Sequence, residues 1–165
     1  MEQAPIFIPL SSIESISEAE TTPYRCGLME IVPKGKQLQG FRCDCLTASY
    51  YWQSNGAGKG FAQMLHFTFE GRRSHFNFLT RTMHNHESRF IVLLPMGDSW
   101  IVFGNQQELP EIIDQEPTCE QDFMMECEYS ITPYPYFDGE VIADDCDAVE
   151  LMEHLFNVKL KDKEE

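Results

Sequence analysis

Four carboxylates, Glu120, Asp122, Glu126 and Glu128, stand at even positions in the stretch Cys119–Ile131, CEQDFMMECEYSI. Cys119, Phe123, Met125, Cys127, Tyr129 and Ile131 alternate with them. Side chains of an extended strand point to opposite faces with period two. The pattern therefore predicts a half-buried strand carrying an acidic ladder on its open face. Close like charges destabilise a sheet, so such a face is either plainly solvated or serves as a negative wall. The chain holds 27 Asp and Glu, and no spacing singles out the opposed pair that glycoside hydrolysis needs. The cluster Asp138–Asp147, DGEVIADDCD, has oxygens enough for calcium but not the EF-hand spacing. It reads as a solvated acidic turn followed by a helix cap at Asp144 or Asp145.

Other chemistry-bearing residues give weaker patterns. The loop Gln53–Gly60, QSNGAGKG, has the glycines of a phosphate loop. It lacks the Ser or Thr that must follow the lysine to hold magnesium, because Gly60 follows Lys59. It reads as a flexible connection between two strands. His84-Asn85-His86 puts two histidines close together, but His66, His75 and His154 supply no metalloprotease spacing. No serine or cysteine sits in a nucleophile elbow. The six cysteines, Cys26, Cys43, Cys45, Cys119, Cys127 and Cys146, include no Cys-x-x-Cys pair. Small buried hydrophobes account for most of them, and the single Cys-x-Cys is poor support for zinc. No catalytic residue, metal ligand or cofactor is expected.

Those residues belong to a chain of 165 residues, a length that suits one domain with a real core. The formal charge is −15, and it is unevenly placed. Residues 1–110 carry nine Lys and Arg against ten Asp and Glu, and residues 111–165 carry three against 17. Phosphate neutralisation by such a surface is disfavoured, so tight nucleic-acid binding is not expected. An acidic wall would instead let DNA pass without sticking. No apolar run reaches the ~18 residues of a membrane span. The opening MEQAPIFIPLSSIES has no basic region and does not read as a signal peptide, so reduced thiols are expected.

Hydrophobic periodicity then sets out the elements. IFIPL predicts an N-terminal strand or arm before a polar loop. YRCGLMEIVP predicts a short strand ending at Pro33. LQGFRCDCLTASYYW fits one or two strands, and FAQMLHFTFE alternates, with Phe61, Gln63, Leu65, Phe67 and Phe69 on one side. Ser74 caps an expected helix through about His84. RFIVLL, a Gly-Asp turn and WIVFG predict a hairpin. The acidic strand follows, and the tail predicts a helix over residues 145–158, with Ala148, Leu151, Met152 and Leu155 as its apolar stripe.

In order and spacing, VPKGKQLQGFRCDC, TASYYWQSNGAGKGFAQMLHFTFEG, RFIVLLPMGDSWIVFGN and EYSITPYPYF resemble segments of phage tail-tube-like structural proteins. The resemblance spans about residues 24–140 and implies an antiparallel β-sandwich or barrel with a flanking helix. The residue patterns divide the chain into an N-terminal arm over 1–23, a β domain over 24–143, and a C-terminal helix and charged tail over 144–165. The resemblance implies a non-enzymatic structural or assembly protein of a phage or prophage tail, first in the host bacterium's cytoplasm and then in the virion. Its partners would be copies of itself, in rings that are often hexameric, or other tail proteins. Glu120, Asp122, Glu126 and Glu128 would then line the lumen. Asn55, Gly56, Gly58 and Lys59 would form a contact loop between subunits. The terminal helix stands outside the resemblance. Two other readings compete. One is a monomeric β-barrel module holding a small ligand between the apolar faces of the 61–70 and 89–104 strands. The other is a small metal-dependent enzyme using the histidines.

Overall fold

The computed structural model describes residues 5–19, 22–24, 26–43, 45–69, 81, 90–104, 111–112, 122–130 and 132–156. These residues are mainly β. The strands are β1 (Ile6–Pro9), β2 (Ile13–Glu18), β3 (Met29–Pro33), β4 (Leu38–Cys43), β5 (Cys45–Ser54) and β6 (Phe61–Phe69). They continue with β7 (Phe90–Met96), β8 (Ser99–Phe103), β9 (Glu111–Ile112), β10 (Asp122–Ser130), β11 (Tyr136–Phe137) and β12 (Val141–Cys146). One described α-helix, α1 (Ala148–Phe156), follows. The strands form three sheets: β11-β8-β7-β1-β4-β12, β5-β6-β10-β9 and β2-β3.

The short apolar run Ile6–Pro9 is buried at every position, as expected of a strand covered on both faces. It lies between β7 and β4, antiparallel to both. Ile6 and Ile8 join a core with Ile91, Leu93, Val102 and Leu38, and the β2-β3 ribbon closes it through Ile13, Met29 and Ile31. Phe7 points to the opposite face, where its ring lies 5.9 Å from that of Phe90. There α1 packs on β1 and β4 with Leu151 and Leu155 buried. Phe41 of β4 stacks on His154 of α1 at 4.1 Å, nearly parallel. Burying each large apolar side chain contributes on the order of 1.5–3 kcal/mol. Gly40 makes the close fit possible. A Cβ there would sit 2.7 Å from Ile6 Cγ2 and 2.8 Å from the Phe7 carbonyl oxygen.

Several expectations are met in detail. β7 and β8 pair as a hairpin with Met96 opposite Ser99, and Gly97 takes φ +63° in the two-residue turn. β5 and β6 pair around the Gly-rich loop, and β3 ends at Pro33. The helix expected over 74–84 lies outside the described residues except at Arg81, which is helical and exposed.

Others are corrected. Among the described residues no sheet closes on itself, so the sheets are open and the barrel form is not found. The pairing is not wholly antiparallel, because β12 runs parallel to β4 from Val141↔Leu38 to Cys146↔Cys43. Of the strand or arm expected for IFIPL, the strand is found: residues 6–18 contribute an interior strand and half of the covering ribbon. Their apolar positions are needed to fill the core. Asp144 and Asp145 lie in β12, so neither caps the helix. Asp147 does: its Oδ1 accepts from the Glu150 N–H at 2.8 Å, and Glu150 Oε1 accepts from the Asp147 N–H at 3.1 Å. This reciprocal pair satisfies two N–H groups that a helix start leaves open.

Candidate functional site

The acidic positions sit on β10, between β6 and β9. Asp122 is in register with Thr68, and Glu126 with Met64. Phe123, Met125 and Cys127 alternate with them opposite Phe67, Leu65 and Gln63. Leu65 and Gln63 are buried, while Met64 is half-buried and its β5 partner Tyr51 is exposed. The register of β10 on β6 is therefore continuous from Asp122 to Cys127. It does not hold to the end. Between Cys127 and Ser130 the register slips, so that three steps on β10 match two on β6. Glu128 falls within this bulge, and an extra residue there interrupts the period of two. Glu120 lies outside the described residues. The register adds a carboxylate position that the alternation of one strand could not reveal, because Glu111 of β9 is directly opposite Glu126. Like charges in such a cross-strand pair oppose sheet formation, so this row of the sheet is a place of concentrated negative charge.

The contact-loop residues form a turn with its own hydrogen bonds. The Asn55 N–H donates to the Gly60 carbonyl at 3.0 Å, and the Lys59 N–H to the Gly56 carbonyl at 3.0 Å. Gly56, Gly58 and Gly60 all take positive φ, which explains the glycine richness. Asn55, Gly56, Gly58 and Lys59 are all exposed. The structure sets this loop apart from Asp122 but not from Glu128, which lies between the Cys127↔Gln63 and Ser130↔Phe61 pairs beside the end of β6 where the loop joins. Thr47 and Thr68, the partners nearest Asp122, lie at the other end of the β5-β6 hairpin.

The structure assembles a surface that the sequence reading missed. Trp52 of β5, Phe61 of β6 and Tyr134 of the turn before β11 form an aromatic cluster. Trp52 meets Phe61 edge-on at 5.4 Å and Tyr134 edge-on at 6.4 Å, and Tyr50 lies 6.1 Å from Tyr134. Trp52 is 38% and Tyr134 48% exposed. A buried polar clamp holds the cluster in place. Gln63, 1% exposed, donates through Nε2 to the Val102 carbonyl at 2.8 Å and to Tyr50 Oη at 3.0 Å. Its Oε1 accepts from the Gly104 N–H at 3.3 Å. Tyr50 Oη in turn donates to the Pro133 carbonyl at 2.7 Å. Both amide donors and the acceptor are thus used. The turn at Cys26-Gly27 approaches from another side. The Tyr136 N–H donates to the Gly27 carbonyl at 2.8 Å, and a Cβ on Gly27 would lie 3.2 Å from the Thr132 methyl. A signal existed in the sequence: a Gln on the apolar face of FAQMLHFTFE demands buried partners.

The remaining chemistry is sparse. Among the described residues no three His, Cys, Asp or Glu side chains are placed to hold a metal ion. Cys26 is an exposed free thiol. Cys146 is a half-buried one whose pKa is raised to about 12, first by burial and then by the carboxylates of Glu150, Asp147, Asp145 and Asp144. A half-open cleft of about 190 Å³ lies between the β2-β3 ribbon and β12, lined by residues that include Ile31, Leu38, Phe137, Lys36 and Glu140. Of the two walls named for a small-ligand module, the 89–104 strands pack Ile91, Leu93 and Val102 into the main core. No described helix is long and apolar enough to cross a membrane. No protein-family model, curated protein or solved structure matches this chain.

Proposed function

We propose that this chain is a non-enzymatic structural or assembly protein of a phage or prophage tail, a tail-tube or related ring-forming component. The observation that carries the reading is the composition of β5. Among the described residues this ten-residue strand ends the four-stranded sheet, and it contains neither charge nor proline. Native proteins usually blunt a sheet edge with charge, proline or shortness, because an open edge is a template for pairing. A long edge without charge or proline is consistent with a surface meant to be covered. The order of segments that resembles tail-tube-like proteins gives the same reading its biological setting.

In such an assembly the acidic row of Asp122, Glu126 and Glu111 would face the lumen and repel the phosphates of passing DNA. Copies of the chain or other tail proteins are the partners. The test is sedimentation and negative-stain imaging of the purified chain over a range of concentrations, together with mass spectrometry of purified tail particles. Rings, or the chain's presence in particles, support the reading. A chain found in no particle, and forming no assembly alone or with tail proteins, overturns it. Asp122→Arg with Glu126→Arg is expected to leave the fold intact and to make assembled rings retain DNA.

A further inference from the structure

Four apolar residues from four strands meet beside two opposite charges. Ile31 of β3, Leu38 of β4 and Phe137 of β11 are buried and line the half-open cleft of about 190 Å³. Ile142 of β12 lines it too and is 42% exposed. The parallel pairing of β12 with β4, which sets Val141 opposite Leu38, brings Glu140 and Ile142 to this place. The bend that carries Lys36 is tied down at its start, where the Lys34 N–H donates to the Ser12 carbonyl at 3.0 Å. Gly139 leaves room for the Phe137 ring. A Cβ there would sit 2.5 Å from Phe137 Cζ, so a side chain at 139 would displace the ring. Lys36 and Glu140 both line the cleft and are exposed. Among the described residues neither has a hydrogen-bond or ion-pair partner.

We propose that this cleft binds a small zwitterion with an apolar side chain, of the class of leucine and phenylalanine. Size sets the body of the ligand. An apolar cavity of about 150 Å³ takes benzene, and drug-sized ligands need roughly 300 Å³ or more. Charge sets the head group. A carboxylate alone would bring its charge beside Glu140, and an amine alone would bring its charge beside Lys36. A molecule that carries both groups can offer each side chain its opposite. It is also neutral overall, so the charge of −15 on the chain does not repel it as it would a fatty acid. The inference does not rest on the tail assignment.

The experiment is an NMR titration of the full chain that reads the methyl groups of Ile31, Leu38 and Ile142. L-leucine and L-phenylalanine are added to about 10 mM, which fills about nine-tenths of a site with a dissociation constant of about 1 mM. Leucine is compared with 4-methylpentanoate, which lacks the amine, and with 3-methylbutylamine, which lacks the carboxylate. Both amino acids are expected to shift these methyl signals. Each one-charge analogue should bind about 2–5-fold more weakly than leucine, the scale of one exposed ion pair. Lys36→Gln should weaken leucine and 4-methylpentanoate by a similar factor and leave 3-methylbutylamine bound as well or better. Glu140→Gln should do the reverse. A merely structural role would move all three ligands alike. Circular dichroism checks that both variants fold, and the comparison of ligands on the unaltered chain carries the test if they do not. No methyl shift at the highest concentration would overturn the inference. So would shifts confined to other parts of the chain, or a neutral analogue, N-acetylleucinamide, that binds as tightly as leucine. Methyl shifts that follow protein concentration without ligand would overturn it too, because a second copy would then occupy the cleft. A chain found in tail particles that binds no amino acid sinks the cleft and spares the function. A chain that binds leucine but is absent from particles does the reverse.

Discussion

Two sheet edges of this protein are built in opposite ways. β12 closes one side of the six-stranded sheet with six residues, two of them aspartates that are exposed. Asp145 reaches Arg42 at 3.4 Å, with its own side chain 82% exposed. β5 closes the four-stranded sheet with ten residues and no charge. It is tied down from behind by a buried glutamine, and it shows aromatic rings to solvent. The first edge carries the charges that discourage strand addition. The second carries features of a contact surface. The difference teaches that the acidity of this chain is not spread to keep every surface apart. One edge carries exposed aspartates and the other carries no charge.

That contrast can be broken at several depths. The largest effect is expected beneath β5. Leu65 is fully buried, so Leu65→Ala should destabilise by about 2–5 kcal/mol in urea denaturation. A loss no greater than that of a surface substitution would mean that the four-stranded sheet is not firmly packed. Gln63→Leu comes next. It leaves the Gly104 N–H and the Val102 carbonyl without their partner in a buried place, at about 1–3 kcal/mol for each such group. It should also disorder the Trp52 environment, read as a shift in fluorescence. An unchanged Trp52 signal would show that the clamp does not position the rings.

Effects on the guarded side should be smaller. Asp147→Ala removes the cap of α1 and is expected to lower stability by about 1 kcal/mol, measured by thermal or urea unfolding. Asp147→Asn should retain most of it. Arg42→Ala breaks only an exposed ion pair, expected at under about 1 kcal/mol. A loss as large as that of Gln63→Leu would erase the contrast between a buried tether and an exposed one.

The thiols sharpen the comparison without any substitution. Cys146 beside the acidic edge should react with a thiol-directed reagent much more slowly at pH 8 than exposed Cys26. Its pKa, raised from 9.0 to about 12, keeps it protonated. The sign follows from the folded state holding this proton more tightly than the unfolded chain. The stabilising contribution is complete below about pH 9 and is lost as pH rises towards 12. Unfolding measured across that alkaline window should show falling stability, and Cys146→Ser should reduce the slope.

Much of the local structure was legible in the sequence because it is governed by short-range rules. Period-two alternation placed β6 and most of β10, the Gly-Asp step marked the β7-β8 turn, and glycines at positive φ marked the β5-β6 loop. Leu151 and Leu155 announced the buried side of α1. The cap was misplaced by two or three residues. DGEVIADDCD contains several aspartates able to cap, and only the pairing of β12 with β4 shows which of them are already in a strand.

What only the tertiary structure decided is which segments meet. Ile6–Pro9 reads as a strand or arm in one dimension, and it is an interior strand because its flanks, β4 and β7, come from distant parts of the chain. The pairing of Glu111 with Glu126 and the bulge at Glu128 both depend on the register of β10 with its neighbours. Trp52, Phe61 and Tyr134 are separated in sequence by up to 82 positions and share no pattern. They form one surface because Gln63 and Tyr50 fasten the 132–136 turn beside β5. Local propensity can specify a strand and its faces. The neighbours of those faces are set by long-range packing, which a single sequence does not spell out.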